Sequence, residues 1–144
     1  MPDPGAYLLE KDRIVDVINR LFIATDRRDW PAVRQCFSDS VLFDMTSMAG
    51  GKPESLTPRQ ITDGWEQGLR DLEAIHHQAG NYLATVKERE ADASCYGIAL
   101  HRLPARDGGG TRRFVGSYDF HLVNEGGGWQ IDRFRFNLKF IDGG

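Results

Sequence analysis

Through the first part of the chain apolar residues recur at steps of three and four: Leu8, Leu9, Ile14, Val15, Val17, Ile18, Leu21, Phe22 and Ala24. An α-helix turns once in about 3.6 residues, so this spacing gathers them on one wide face and predicts an amphipathic helix over about residues 8–27. Residues 1–7, with two prolines and a glycine, read as a loose lead-in. In Asp29-Trp30-Pro31 the aspartate is a candidate N-cap and the proline sits in a first turn, where its missing N–H costs nothing. A short helix through Val33, Cys36 and Phe37 follows, then a turn at Ser38-Asp39-Ser40 and a strand over Val41–Met45. Residues 49–57 read as a loop, and Thr57-Pro58 opens a helix with Ile61, Trp65, Leu69 and Leu72 on one side.

The second half changes period. Residues 75–88, 92–104, 112–124 and 129–141 are β-rich, and the last three are separated by Asp107-Gly108-Gly109-Gly110 and Glu125-Gly126-Gly127-Gly128, both hairpin turn signals. Helices first and an antiparallel meander after them define an α+β class. Helices on one face of a curved sheet enclose either a packed core or a core with a pocket at one end. On the 92–104 strand one row is small (Ala93, Cys95, Gly97, Ala99, His101), which leaves room for a ligand; the other (Ser94, Tyr96, Ile98, Leu100, Arg102) is bulky. The next strand opposes Val115, Ser117, Asp119, His121 and Val123 to Phe114, Tyr118, Phe120 and Leu122, and parity alone leaves open which row is inside. The last strand alternates Trp129, Ile131, Arg133, Arg135 and Asn137 with Asp132, Phe134, Phe136, Leu138 and Phe140.

The 144 residues fit a single domain, residues 1–144. A net charge of −3 with no basic run argues against nucleic acid as a partner. No run of apolar residues is long enough for a membrane span, and the N-terminus has neither the basic start nor the apolar core of a signal peptide. Cys36 and Cys95 stand far apart, outside any CxxC pattern, and read as two reduced thiols of a cytoplasmic protein. Without HExxH, paired CxxC or calcium-type acidic spacing no metal is implied, and without a nucleotide fingerprint no cofactor. The glycine runs lead into strands rather than a helix, so they are turns and not phosphate cradles.

The order helix, A-T-D-R-R-D-W, short helix, F-S-D-S-V-L-F-D resembles the opening of SnoaL-like domains of the nuclear-transport-factor-2-like superfamily. The hairpin S-Y-D-F-H-L-V-N-E-G-G-G-W-Q-I resembles their closing strands. The resemblance covers nearly the whole chain and implies a cone-shaped barrel, a curved antiparallel sheet wrapped around N-terminal helices with a pocket for a small apolar molecule. Within the superfamily the chain is most similar to scytalone dehydratase and related dehydratases and isomerases. Asp26 falls where those enzymes carry a pocket aspartate and His77 where they carry a catalytic histidine. With one residue dropped from the following turn, Ser117 and Asp119 fall on two ligand contacts. Thr25 and Met45 stand in place of two pocket tyrosines. A second catalytic histidine has no counterpart in register; His101, two residues away, is nearest and would share its face.

A histidine takes and gives protons near neutrality, and a carboxylate on one ring nitrogen fixes its tautomer and raises its basicity. His77 and Asp26 are therefore the candidate catalytic pair, with Ser117, Asp119, Tyr96, His101, Met45 and Trp65 as candidate substrate contacts. The plainer reading makes Asp26 a solvated helix end and His77 an ordinary strand residue, with His76 on the opposite face. Two functions follow. One is a cofactor-independent lyase or isomerase that dehydrates, isomerises or closes rings by aldol-type chemistry on a cyclic, polyketide- or steroid-like substrate. The other is a non-catalytic ligand-binding or interaction module of the same fold. Contact between His77 and Asp26 inside a cavity favours the first. The superfamily resemblance also implies a homodimer joined through the sheet.

Overall fold

The computed structural model describes residues 3–143. Helix α1 (Pro4–Asp26) starts well before the apolar periodicity does, because Asp3 caps it by accepting the Ala6 N–H at 3.0 Å and Pro4 occupies its first turn. Most of the expected lead-in is thus helical, and Met1 and Pro2 lie outside the described residues. Of the predicted face, Ile14, Val17, Ile18, Leu21, Phe22 and Ala24 are buried and Val15 is half-buried, whereas Leu8 and Leu9, in the early turns, are exposed. Helix α2 (Trp30–Gln35), capped by Asp29, ends before Phe37, which opens β1 (Phe37–Asp44) rather than closing a helix. A single turn of helix, α3 (Thr46–Ala49), follows β1, and the segment 49–57 expected to be a loop holds a short strand, β2 (Glu54–Leu56). Helix α4 (Pro58–Leu69) begins with a complete capping box between Thr57 and Gln60.

The four remaining strands are β3 (Ala74–Lys87), β4 (Glu90–Arg102), β5 (Thr111–Asn124) and β6 (Trp129–Gly143). All six strands form one curved, unclosed sheet in the order β2-β1-β6-β5-β4-β3. The sheet is mixed rather than purely antiparallel, because β1 returns parallel to β6. The helices cover its concave face, and the family-type α+β cone expected from the sequence is the architecture found. Among the described residues no helix is long and apolar enough to cross a membrane.

Three β-bulges decide which side chains reach the core. An extra residue in one strand reverses the inward and outward rows beyond it. In β3 the pairs Gly80–Tyr96 and Leu83–Ser94 enclose two residues against one, with Asn81 at a φ of 59°. Ile75, His77 and Ala79 therefore face inward before the bulge, and Tyr82, Ala84 and Val86 after it. In β6 the pairs Leu122–Ile131 and His121–Arg133 leave Asp132 over, so Trp129 and Ile131 are buried together with Phe134 and Phe136, although simple alternation separates them. A further slip at Lys139 turns Phe140 outward beside Val115.

The extra residue of β6 also makes a charge cluster. Asp132 meets Nδ1 of His121 at 2.6 Å, and Glu90 lies 3.1 Å from its Nε2. Burial pulls the imidazolium's pKa down. The hydrogen bond and charge of Asp132, with the charges of Asp92 and Glu90, outweigh this and hold it above the ordinary histidine value. A raised folded-state value stabilises the protein fully below the unfolded value of about 6.5, and the contribution fades as pH rises through the folded-state value. Asp132→Asn should therefore lower stability by about 1 kcal/mol below pH 6, and the gap to wild type should close as pH rises. Thermal melts across that range test this; a gap that stays constant or widens with pH contradicts the assignment.

Candidate active site

The end of α1 brings Asp26 to the first part of β3, at His77. Its carboxylate accepts two hydrogen bonds from one residue: the backbone N–H of His77 at 2.9 Å, through Oδ2, and the ring Nδ1 at 2.6 Å, through Oδ1. The double contact fixes both rotamers. It also fixes the tautomer, since a carboxylate can only accept, so Nδ1 carries the proton and Nε2 is the basic nitrogen. The imidazole stacks on Phe22 of α1, with ring centres 5.2 Å apart and planes 17° apart. Both side chains are largely shielded, at 14% and 17% exposure for His77 and Asp26. His76 points the other way, exposed, with its Nδ1 4.0 Å from Asp26 and its Nε2 on Gln78.

His77 opens onto a cavity of about 160 Å³ between the helices and the concave sheet face. Helix α1 contributes Phe22 and Thr25; α3 and its lead-in contribute Met45 and Met48; α4 contributes Trp65 and Leu69. The sheet supplies His77, Ala99, His101, Phe114, Tyr118, Phe134 and Phe136. The wall is almost wholly apolar. Thr25 spends its hydroxyl on the Leu21 carbonyl at 2.7 Å, which leaves His77, His101, Tyr118 and the indole N–H of Trp65 as the polar groups of the wall. Burial, with help from the charges of His77 and Arg112 and against that of Asp26, pushes His101 down to about 4, so its ring is neutral at physiological pH. Among the described residues no cluster of three or more His, Cys, Asp or Glu side chains has the arrangement of a metal site.

Two features hold the roof. Arg28 reaches from the turn after α1 to the carbonyl of Leu69, the last residue of α4, at 3.1 Å and to that of Leu72 in the following turn at 2.8 Å, a cation at the helix C-terminus. Ser47 of α3 donates to the Phe136 carbonyl at 2.7 Å and accepts the Leu138 N–H at 3.0 Å. These bonds seat Trp65, Leu69 and Met48 over the cavity.

Of the candidates read from the sequence, His77, His101, Met45 and Trp65 line the cavity, and Asp26 stands behind His77. Ser117, Asp119 and Tyr96 do not; the structure corrects their placement to the opposite face of the sheet. With Gly116, Tyr118 and Phe120 inward, the two-residue period of β5 turns Ser117 and Asp119 outward, where Asn137 bonds both at 3.2 and 2.8 Å. Tyr96 lies between inward Cys95 and Gly97 and is 55% exposed, with Lys139 Nζ 4.1 Å from its ring centre. Tyr118 was not among the candidates. Its signal was the bulky β5 row together with Gly97 on the neighbouring strand: a Cβ there would lie 2.2 Å from the Tyr118 ring. Cys36 and Cys95 are free and buried, and burial raises their thiols to about 11 and about 12.

A helical cap over a curved open sheet, with a shielded histidine–aspartate pair at the cavity edge, places the molecule among the cone-shaped domains of the nuclear-transport-factor-2-like fold. The chain belongs to the SnoaL-like domain family, whose model matches residues 6–135. No curated protein matches it by sequence. The Kfla4162 protein of Kribbella flavida is similar in structure with a TM-score of 0.90 at 20% identity, covering 94% of this chain and 95% of that one. A protein of Novosphingobium aromaticivorans DSM 12444 provisionally assigned as a scytalone dehydratase gives 0.82 at 16%, over 97% and 91%. Hexachlorocyclohexane dehydrochlorinase LinA-type3 of Novosphingobium barchaimii LL02 gives 0.83 at 12%, over 98% and 94%. At these identities the likeness is one of fold, and the fold is shared with proteins named as dehydratases and dehydrochlorinases.

Proposed function

We propose that residues 1–144 form a single-domain, cofactor-independent lyase or isomerase acting on a small cyclic apolar molecule, with His77 as general base and Asp26 as its orienting partner. The observation that carries this reading is the 2.6 Å contact between His77 Nδ1 and Asp26 at the edge of an apolar cavity. A lone binding site has no need of a basic nitrogen prepared in this way. Nε2 takes the proton from a ring carbon beside a carbonyl, and the negative charge of Asp26 stabilises the resulting imidazolium. In a β-hydroxy ketone the released electron pair forms the new C=C bond as the C–O bond breaks. The hydroxyl leaves with the imidazolium proton as water, and His77 is restored. In an isomerisation the same proton returns at a different carbon. The apolar wall keeps out water that would compete for the base.

Cavity size limits the substrate. An apolar cavity of about 150 Å³ holds one benzene, so the 160 Å³ here matches one six-membered ring, with larger substituents directed to the mouth. Two buried free thiols suit a reducing compartment, consistent with a cytoplasmic location. The test is hydrogen–deuterium exchange at the α-carbons of monocyclic ketones, and water loss from their β-hydroxy derivatives, followed by NMR in D2O. Catalysed exchange or elimination that depends on His77 supports the reading. Ligand binding with neither reaction leaves a binding module.

The outward sheet face supports a homodimer. Leu83, Tyr96, Ile98 and Phe140 stand 70%, 55%, 39% and 51% exposed on it, beside carboxylate Asp119 and guanidiniums Arg133 and Arg135. A twofold axis covers such a patch with its own copy and sets opposite charges against one another. Sedimentation should give twice the 16.2 kDa chain mass, and Tyr96→Glu should halve it; a monomeric wild type refutes the dimer.

A further inference from the structure

We propose that Tyr118 is the hydrogen-bond donor that holds the substrate's oxygen, which makes the ligand class a single ring carrying a carbonyl or hydroxyl group rather than a bare or halogenated hydrocarbon. The assignment rests on the proposed function of the same cavity and adds the group that the His77–Asp26 pair lacks. Removing a proton beside a carbonyl puts negative charge on the oxygen, and a base alone does nothing to stabilise it.

Three observations single out this tyrosine. First, its ring is fixed from several sides: ring centres of Phe22 and Phe136 lie 4.9 and 4.8 Å away, with Phe134 at 5.6 Å. A donor held this firmly needs no reorganisation as charge develops. Second, the ring lies flat across β4 only because residue 97 is glycine; a Cβ at that position would come within 2.2 Å of it. The register pairs Tyr118 with Cys95 and His77 with Ala99, so a ring lying over Gly97 is directed along β4 toward the His77 position. Phe22 touches both, with its centre 5.2 Å from the imidazole and 4.9 Å from the phenol ring, so base and donor flank the same phenyl group.

Third, every fully buried side-chain nitrogen and oxygen among the described residues has a hydrogen-bond partner. The Tyr118 hydroxyl has none among those residues, so its oxygen faces the open cavity that the residue lines. Burial, reinforced by Cys95 and Asp26, keeps the phenol protonated and a donor. The rivals are the indole N–H of Trp65, which comes from α4 rather than from the strands beside His77, and His101. The His101 ring packs on Phe114 at 4.8 Å, but neither ring nitrogen has a partner to fix which one carries the proton. Its single N–H can therefore sit on either nitrogen, whereas the phenol offers its O–H at one fixed position.

The experiment uses cyclohex-2-enone and cyclohexene as probes, titrated into the full chain and read by tryptophan fluorescence, since Trp65 lines the cavity. The carbonyl stretch of bound enone is recorded alongside. In wild type the enone should bind more tightly than the hydrocarbon, with its stretch shifted down. Tyr118→Phe keeps the ring packing and should weaken enone binding about five- to tenfold, return the stretch toward its unbonded position and leave cyclohexene unchanged. A melting temperature close to wild type confirms that the fold is kept. His77→Gln should retain the enone preference, so the oxygen site and the proton-transfer reading fail independently. The proposal is overturned if wild type shows no preference between the probes, binding of neither included, or if the preference survives Tyr118→Phe. It is equally overturned if His101→Leu, rather than Tyr118→Phe, removes the preference.

Discussion

Replacing His77 with glutamine should lower turnover of a ring ketone by about 10²–10⁴-fold while leaving its binding nearly unchanged. Glutamine keeps the polarity and much of the volume of the side chain but offers no basic nitrogen to the cavity. The loss should fall on kcat, because proton transfer is a transition-state interaction and the apolar wall that binds the ring is untouched. Asp26→Asn should cost at least about tenfold, through the tautomer. An amide that turns its NH2 toward Nδ1 leaves the proton on Nε2, the nitrogen that must be bare to act. The Asp26 carboxylate also holds the His77 backbone N–H at 2.9 Å, so the strand position and ring position are set together. Steady-state kinetics of the two variants decide the matter. Losses below about threefold in both would remove the dyad from the mechanism.

The largest stability effect is expected at Phe134. This residue is 3% exposed and touches Phe37, Phe43, Trp65, Tyr118 and Phe120, the last four with ring centres at 5.3, 5.7, 5.6 and 5.7 Å. It thus joins β1 and α4 to the central strands. Phe134→Ala should lose about 3–5 kcal/mol, combining the transfer free energy of the ring with the void left behind. Against a typical total of about 5–15 kcal/mol this is a large share, readable as a shift in the urea midpoint. Phe134 also forms part of the cavity wall. A loss under about 1 kcal/mol would mean that the cluster collapses freely into the gap.

Much of this was legible in the chain. The buried stripe of α1 follows the three-and-four spacing from Ile14 to Ala24, though not at Leu8 and Leu9, and the small row of β4 marks the strand that leaves room for a ligand. The Asp26 and His77 positions came from resemblance, and their contact needed the fold, since they are 51 residues apart. What escaped was the parity of β5 and β6. Both rows of β5 carry groups that could be buried, and only the register with β4, which sets the Tyr118 ring against Gly97, decides between them. In β6 a regular alternation assigns Ile131 and Phe134 to opposite faces, and a single surplus residue reconciles them. Bulges leave little trace in composition, because the extra residue (Asp132 or Lys139 here) is polar and looks like any outward position. The start of α1 escaped for a different reason: its first turn carries few apolar residues, and Asp3 and Pro4 fit an irregular lead-in as well as a helix cap.

The surplus residues bear on how such a domain tolerates change over time. Lengthening the glycine turn at residues 125–128 alters only a loop, whereas losing Asp132 alone would rotate Ile131 and Trp129 against Phe134 and Phe136 and carry one of those pairs into solvent. Insertions and deletions in these strands are therefore admissible only in compensating pairs. In this chain the lengths between bulges are what keep the inward rows of β3, β5 and β6, with His77, Tyr118 and the aromatic wall, on one face of the sheet.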